Sequence, residues 1–184
     1  MTRVLLNTKP LLIIVMGVSG TGKSTLAKHL SEAFAFDFIE ADDFHTTKAK
    51  SMMSNGVPLT AAIRQEWVNR LCSYLANGTK SIDSVILAYS GLKKAHRQQF
   101  REIGFNQLFI MLTANKRTIK QRMENREGHF VSVDFLDSQL TDLEYPTIEE
   151  SDVEILDANE SFTNLTTRAS ELCIAHKITS ELTT

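Results

Sequence analysis

The sequence predicts an α/β fold of three layers, a five-stranded parallel sheet between two sets of helices. Three observations carry this expectation. Short apolar runs alternate with longer amphipathic segments, the pattern of strands that need helices on both faces. The first of these runs, Leu11-Leu12-Ile13-Ile14-Val15-Met16, is apolar throughout, as a strand buried on both faces must be. It leads directly into Gly17-Val18-Ser19-Gly20-Thr21-Gly22-Lys23-Ser24, a glycine-rich loop ending in Lys-Ser and followed by an amphipathic segment.

Strands are predicted over 11–16, 36–40, 84–89, 107–112 and 153–157, each a short apolar run bounded by polar or glycine residues. Helices are predicted over 23–34, 60–77, 92–103, 116–125, 133–143 and 162–176, where apolar residues recur at helical spacing. Asn77-Gly78 is a turn signal closing the second helix, and Ser161 reads as the N-cap of the last. Residues 177–184 are expected to fray. No repeat, low-complexity tract or linker divides the chain, so residues 1–184 read as one domain.

Of the 184 residues, 42% are hydrophobic and 23% charged, an ordinary soluble balance. Twenty Lys and Arg against 22 Asp and Glu give a formal charge of −2, so nothing favours nucleic acid or an acidic membrane as partner. A small metabolite fits better, because local clusters of Lys and Arg suffice to hold it. No run approaches the roughly 20 apolar residues of a spanning helix, and no targeting segment is evident. Cys72 and Cys173 fall within helical apolar patterns, which suits packed thiols and a cytoplasmic address rather than a disulfide.

The loop carries the chemistry. Gly17, Gly20 and Gly22 let the backbone bend closely around an anion with no Cβ in the way. Gly17, Val18, Ser19, Gly20, Thr21, Gly22, Lys23, Ser24 and Thr25 are therefore expected to hold nucleotide phosphates through loop amides and the positive end of the next helix. Lys23 would bridge the terminal phosphates and the Ser24 hydroxyl would ligate a metal, so ATP and Mg²⁺ are the expected cofactors.

The second strand ends in Glu40-Ala41-Asp42-Asp43-Phe44-His45. Alternation along an extended strand would put Glu40 and Asp42 on one side, facing the loop at the carboxyl edge of the sheet. Glu40 would support the metal and its waters, and Asp42 would orient and deprotonate an acceptor hydroxyl. The third strand ends Leu87-Ala88-Tyr89-Ser90 without the second metal-binding Asp of many NTPases, which argues against a motor or switch ATPase and for a small-metabolite kinase. Arg64 and Arg97 are candidates for a bidentate grip on an anionic substrate, with ordinary surface arginines as the alternative. Lys93 is a further cation where the helix after Gly91 starts, and Ser90 and His45 adjoin the same edge. Residues 122–134 hold Arg122, Arg126 and His129 around Gly128 and suggest a mobile lid over bound phosphates; a solvated helix end is the alternative. Asp157-Ala158-Asn159, after the last strand, suggests an adenine-side loop.

From Leu11 to Asp157 the chain resembles the gluconate kinases, among the shikimate-kinase-like P-loop kinases. The resemblance rests on GVSGTGKST, on EADDFH, on MSNGVPLT at residues 53–60, and on Arg64 with Trp67. It continues through SGLKKAHR at 90–97 and through REGHF with DSQLTDLEYP at 126–146. It implies a P-loop kinase fold with a lid, a helical acceptor region over about 43–77, and often a homodimer. It also implies transfer of the ATP γ-phosphate to the 6-hydroxyl of D-gluconate. Arg64, Arg97, Ser90, Lys93, His45 and His129 would then contact the sugar acid, and Arg122 and Arg126 would close over the phosphates. Several positions depart from the family pattern: Ala61 and Ile63 replace two acidic residues, Glu66 a Pro, Ala49 and Met52 an Asn and a Lys, Tyr89 a Cys and His96 a Tyr. A related sugar acid, a polyol or a shikimate-like acceptor is the enzymatic alternative, and a nucleotide-binding regulatory protein without catalysis the non-enzymatic one.

Overall fold

Five parallel strands form one sheet in the order β2-β3-β1-β4-β5. They are β1 (Leu11–Met16), β2 (Asp37–Glu40), β3 (Ser84–Ala88), β4 (Asn106–Thr113) and β5 (Val153–Asp157). The computed structural model describes residues 9–78, 84–125 and 133–182. Every residue of β1 is buried because β3 and β4 flank it and helices cover both faces. The register places Val15 opposite Ala88, and Ala88 opposite Glu40. Glu40 therefore lies two strand spacings, roughly 10 Å, from the end of β1, on the row where the glycine-rich loop begins.

The helices are α1 (Lys23–Phe34), α2 (Thr47–Ser54), α3 (Ala61–Gly78), α4 (Lys94–Arg101), α5 (Lys116–Glu124), α6 (Val133–Asp142) and α7 (Phe162–Leu182). Alternation along β1 sends Leu12, Ile14 and Met16 to one face, against Trp67, Val68, Leu71 and Leu75 of α3 and Phe100 of α4. Ile13 and Val15 face the other way, onto Leu26, Ala27 and Leu30 of α1 and Leu165, Ala169 and Cys173 of α7. A third cluster of Val18, Leu92, Ile119 and Leu136 seats α5 and α6 against the loop after β1.

The predicted strands and six predicted helices lie where expected, with ends displaced by one to two residues in most cases. Two elements were not read from the residue pattern: a 3₁₀ turn over Ala41–Phe44, and α2, which falls within the helical region the resemblance implies over about 43–77 and which Thr46 caps by accepting from the Ala49 amide at 3.1 Å. Eight residues with one buried side chain, Ala49, give no apolar period to read. The fraying expected from 177 onward is corrected for 177–182, which continue α7; neither Gly nor Pro follows His176 to stop the helix. Ser161 does cap α7, accepting from the Asn164 amide at 3.2 Å. Both thiols are free, Cys173 buried and Cys72 half-buried, and burial pushes them up to about 12 and about 11.

Arg97 requires a correction. Expected to bind substrate, it is fully buried and forms a two-pronged ion pair with Glu150, at 2.8 Å from Nε and 2.6 Å from Nη2. Its Nη1 donates to the carbonyls of Gly91 and Glu144. Arg101 joins Glu150 to Asp152 beside it. The guanidinium thus holds together the exit of β3, the chain after α6 and the approach to β5.

Removing one partner of a buried pair strands the other charge, so Arg97→Leu should cost about 3–5 kcal/mol in urea unfolding. The guanidinium hydrogen bonds of Arg97, then those of Arg101, hold Glu150 at about 2 against an ordinary 4.5. Its stabilisation is therefore complete above about pH 4.5 and is lost as pH falls toward 2. In Glu150→Gln the unfolding free energy should be lower at pH 7 and change less steeply with pH in that window; an unchanged slope would contradict this linkage.

Candidate active site

The turn from β1 into α1 is shaped by its own side chains. Thr21, almost fully buried, donates its hydroxyl to the Val18 carbonyl at 2.8 Å, and the Lys23 ammonium reaches the same oxygen at 3.0 Å. Thr21 and Val18 therefore set the curvature of the loop. Gly22 caps α1 in the left-handed region at φ 99°, and as a glycine it brings no cap side chain to compete with an anion for the amides at that end of the helix.

Across the sheet edge, the Ser24 hydroxyl and the Asp42 amide lie near the Glu40 carboxyl and favour its charged form. Burial holds Glu40 above its ordinary 4.5, and the negative charge of Asp42 adds to the rise, while Ser24 and Lys23 oppose it. A cation placed here would favour the carboxylate, and a hydroxyl beside one or two carboxylates is a donor set that suits Mg²⁺ shared with phosphates. Glu40 and Asp42 do face one cavity, but not by strand alternation as expected. The strand stops at Glu40, and the 3₁₀ turn swings Asp42 back to the same side while Ala41 is buried.

Two cavities meet at these residues. The phosphate cradle, of about 390 Å³, is lined by Ser19, Gly20, Gly22, Lys23, Ser24, Thr25, Glu40 and Asp42. A larger cleft of about 630 Å³ shares Ser19, Lys23, Glu40 and Asp42 with it and extends toward Arg64. Its walls include His45, Trp67, Tyr89 and Ser90, with Met53, Pro58 and Leu59 from the chain around α2. Ser138, Gln139 and Asp142 of α6 complete it. Asp142 accepts from Arg64 Nη1 at 2.5 Å and lies 3.5 Å from the Lys93 ammonium, which also pairs with Glu144 at 3.3 Å. Arg64 faces the cleft directly. Lys93 is not among its lining residues and acts through Asp142 and Glu144.

His45 is buried against Trp67, the rings stacked at 4.0 Å, and its Nε2 lies 3.7 Å from the Asp42 carboxylate. Burial pushes the imidazole down to about 4; Arg70 and Lys50 add to that, and Asp42 opposes it. The Trp67 indole in turn donates to the Ala41 carbonyl at 2.7 Å, fixing the 3₁₀ turn that carries Asp42.

On the far side of the loop a third cavity, of about 790 Å³, is lined by Gly20, Thr21, Gly22, Thr25 and Arg122, with Ala158, Glu160, Phe162 and Leu165 opposite. Arg122 was expected over the phosphates. It lies against the loop, donating to the carbonyls of Thr21 at 3.4 Å and Ala158 at 2.7 Å, and lines this cavity together with Gly20 and Gly22. Asp157 and Asn159 were expected to contact adenine. They shape the turn that carries Ala158, with Asp157 accepting from the Asn159 amide at 2.8 Å and Asn159 accepting from the Asn115 side-chain amide at 2.8 Å. Ala158 and Glu160 supply that wall. Arg126, Gly128 and His129, and with them most of the expected lid, lie outside the described residues.

A family model described as an AAA domain matches residues 12–146. The chain is 33% identical to the thermosensitive gluconokinase of Escherichia coli (strain K12), over 88% of this chain and 87% of that protein. It is 36% identical to the gluconokinase of Gluconobacter oxydans (strain 621H), over 77% of this chain and 80% of that one. It belongs to the gluconokinase family. Its fold agrees, superimposing on the crystal structure of a gluconokinase from Sinorhizobium meliloti 1021 with a TM-score of 0.79 and 31% identity, across 93% of this chain and 96% of that chain.

Set against the gluconokinase pattern, the departures noted in the sequence fall mostly outside the cleft. Ala61 is exposed on the first turn of α3 and Ile63 is half-buried, and neither lines the cavity. Ala49 is buried within α2, and Glu66 pairs with Arg70 on α3 at 2.6 Å. Tyr89 alone of the replaced positions forms part of the wall, its hydroxyl 3.3 Å from His96 Nδ1. What sequence reasoning missed were Ser138, Gln139 and Asp142. The motif containing them was noticed, but nothing in its spacing connects α6 with Ser19 or Arg64.

Trp67 is the chain's one tryptophan and reports on its stacked partner. Because His45 stays neutral until about pH 4, Trp67 emission should be flat from pH 8 to 5.5. Quenching with a midpoint near 6.5 would contradict the burial of that ring.

Proposed function

We propose that this chain transfers the γ-phosphate of ATP to the 6-hydroxyl of D-gluconate, giving 6-phospho-D-gluconate and ADP. The observation that carries this reading is the wall of Ser19, Lys23, Glu40 and Asp42 shared by the phosphate cradle and the cleft ending at Arg64. A γ-phosphate at that wall would meet an acceptor held by its carboxylate at the other end. The gluconokinase relatives support the choice of acceptor.

The loop amides and Lys23 would hold the phosphates and offset the charge that develops during transfer. Asp42 would accept the proton of the attacking hydroxyl as the new O–P bond forms and the bond from Pγ to the β–γ bridging oxygen breaks, the pair leaving on ADP. Arg64 would take the sugar-acid carboxylate with Nε and Nη2, which carry no hydrogen bond among the described residues, while Nη1 stays on Asp142. Ser24 and Glu40 would hold Mg²⁺ beside the phosphates, where it would neutralise charge during transfer. His45, neutral and packed on Trp67, and Ser90 are placed to meet polyol hydroxyls. The base of ATP would lie in the third cavity, beside Arg122.

ADP release measured over a panel of gluconate, other sugar acids, polyols and shikimate should give the highest kcat/KM with gluconate. Turnover with another acceptor only would move the reaction to that substrate, and ATP binding without any transfer would favour a regulatory protein. Asp42→Asn should lower kcat by about 100-fold or more with little change in ATP affinity. Arg64→Ala should act chiefly by raising KM for gluconate, and Lys23→Ala should abolish transfer; an unchanged KM in the first would remove Arg64 from the carboxylate site.

A further inference from the structure

We propose that Gln139 and Asp142, three residues apart on α6, are positioning residues that couple the acceptor cleft to the phosphate loop, so that sugar acid and nucleotide strengthen each other's binding. This rests on the acceptor role given to Arg64 above and adds the connection to the donor side.

Gln139, only 8% exposed, accepts the Ser19 amide of the loop on Oε1 at 2.7 Å. Asp142, one turn later, accepts from Arg64 at 2.5 Å. Residues three apart lie on the same helical face, and the rise between them is only about 4.5 Å. Between the two bonds there is continuous helix and no hinge. Leu136, fully buried, fixes the same helix to Val18 of the loop through the third apolar cluster. One rigid turn of helix therefore touches the loop that would hold the γ-phosphate and the cation that would hold the acid.

The residue types suit this duty. An amide oxygen satisfies the Ser19 N–H without adding negative charge beside the phosphates, which a Glu would do. A carboxylate at 142 orients Arg64 through one nitrogen and leaves the other two for the substrate. When an acid carboxylate fixes Arg64 it fixes Asp142 and the helix behind it, so less ordering of α6 and of Ser19 remains when the nucleotide binds. Linkage then requires the nucleotide to tighten acid binding by the same factor.

Isothermal titration with a non-hydrolysable ATP analogue and Mg²⁺, with and without saturating D-gluconate, and the reverse titration, measure this factor. In the wild-type protein each ligand should tighten the other about fivefold or more, equally in both directions. Gln139→Met keeps the buried volume but removes the oxygen, and Asp142→Ala alters a partly exposed position. Each should bring the factor below about twofold, with no further loss in the double variant. Gluconate binding without enhancement in the wild-type protein, or enhancement that survives Gln139→Met, would overturn the coupling and leave the acceptor reading standing. A wild-type protein that binds the analogue but no gluconate in either state would overturn both.

Discussion

The path of the chain out of β1 is the constraint on which the active edge depends. β1 is paired on both sides, so the backbone cannot drift sideways and must turn at once. Gly17 makes that turn at φ 142°, its amide bonded to the Ser90 carbonyl at 3.1 Å. A Cβ there would sit 2.5 Å from the Leu112 carbonyl oxygen of β4. A side chain at this position would have to push β4 or the loop aside, since a backbone oxygen cannot rotate out of the way. The loop is thus locked at once to the exit of β3 and the end of β4, and its amides and Lys23 arrive on the row of the sheet that also carries Glu40.

The charges near this edge divide by environment into those that build and those that remain open to a ligand. Arg97 and Glu150 are both buried, satisfy each other in a two-pronged pair, and tie three connecting segments together. Arg64 and Asp142 also pair, but both remain partly exposed on a cleft wall, and among the described residues two of the guanidinium nitrogens carry no hydrogen bond. The same residue type is structural in one place and available in the other because of what surrounds it. His45 has a part in both: stacked on Trp67 and held neutral, it packs beside the turn that presents Asp42 and also lines the cleft.

Most of the fold was legible because its signals are local. An all-apolar β1 and helices with clear periodicity are set by neighbours a few residues away, and the glycine-rich loop is contiguous in sequence. The cradle of Lys23, Ser24 and Glu40 was accessible for the same reason, given the carboxyl-edge rule for open sheets. In the site, what was missed is long-range. Nothing near Arg97 announces that Glu150, 53 residues on, will bury it. Nothing near Arg122 announces its partners either, Thr21 and Ala158, which are 101 and 36 residues away. Ala61 and Ile63 stand where the family pattern is acidic, and neither side chain lines the cleft, so no carboxylate from these two positions faces it. The 3₁₀ turn at Ala41–Phe44 reached the expected placement of Asp42 by a different geometry, one that needs the Trp67 indole to hold it.

The central claim is that one cleft holds the acid at Arg64 and its hydroxyl terminus at Asp42, against a phosphate loop tied to the same helix. A crystal structure with a non-hydrolysable ATP analogue, Mg²⁺ and D-gluconate tests it most directly. The account predicts the gluconate carboxylate on Arg64 Nε and Nη2, with the 6-hydroxyl within hydrogen-bond distance of Asp42 and facing the γ-phosphate. A gluconate bound in the reverse sense, with its carboxylate beside Lys23, or seated in a cavity that does not include Asp42, would contradict it.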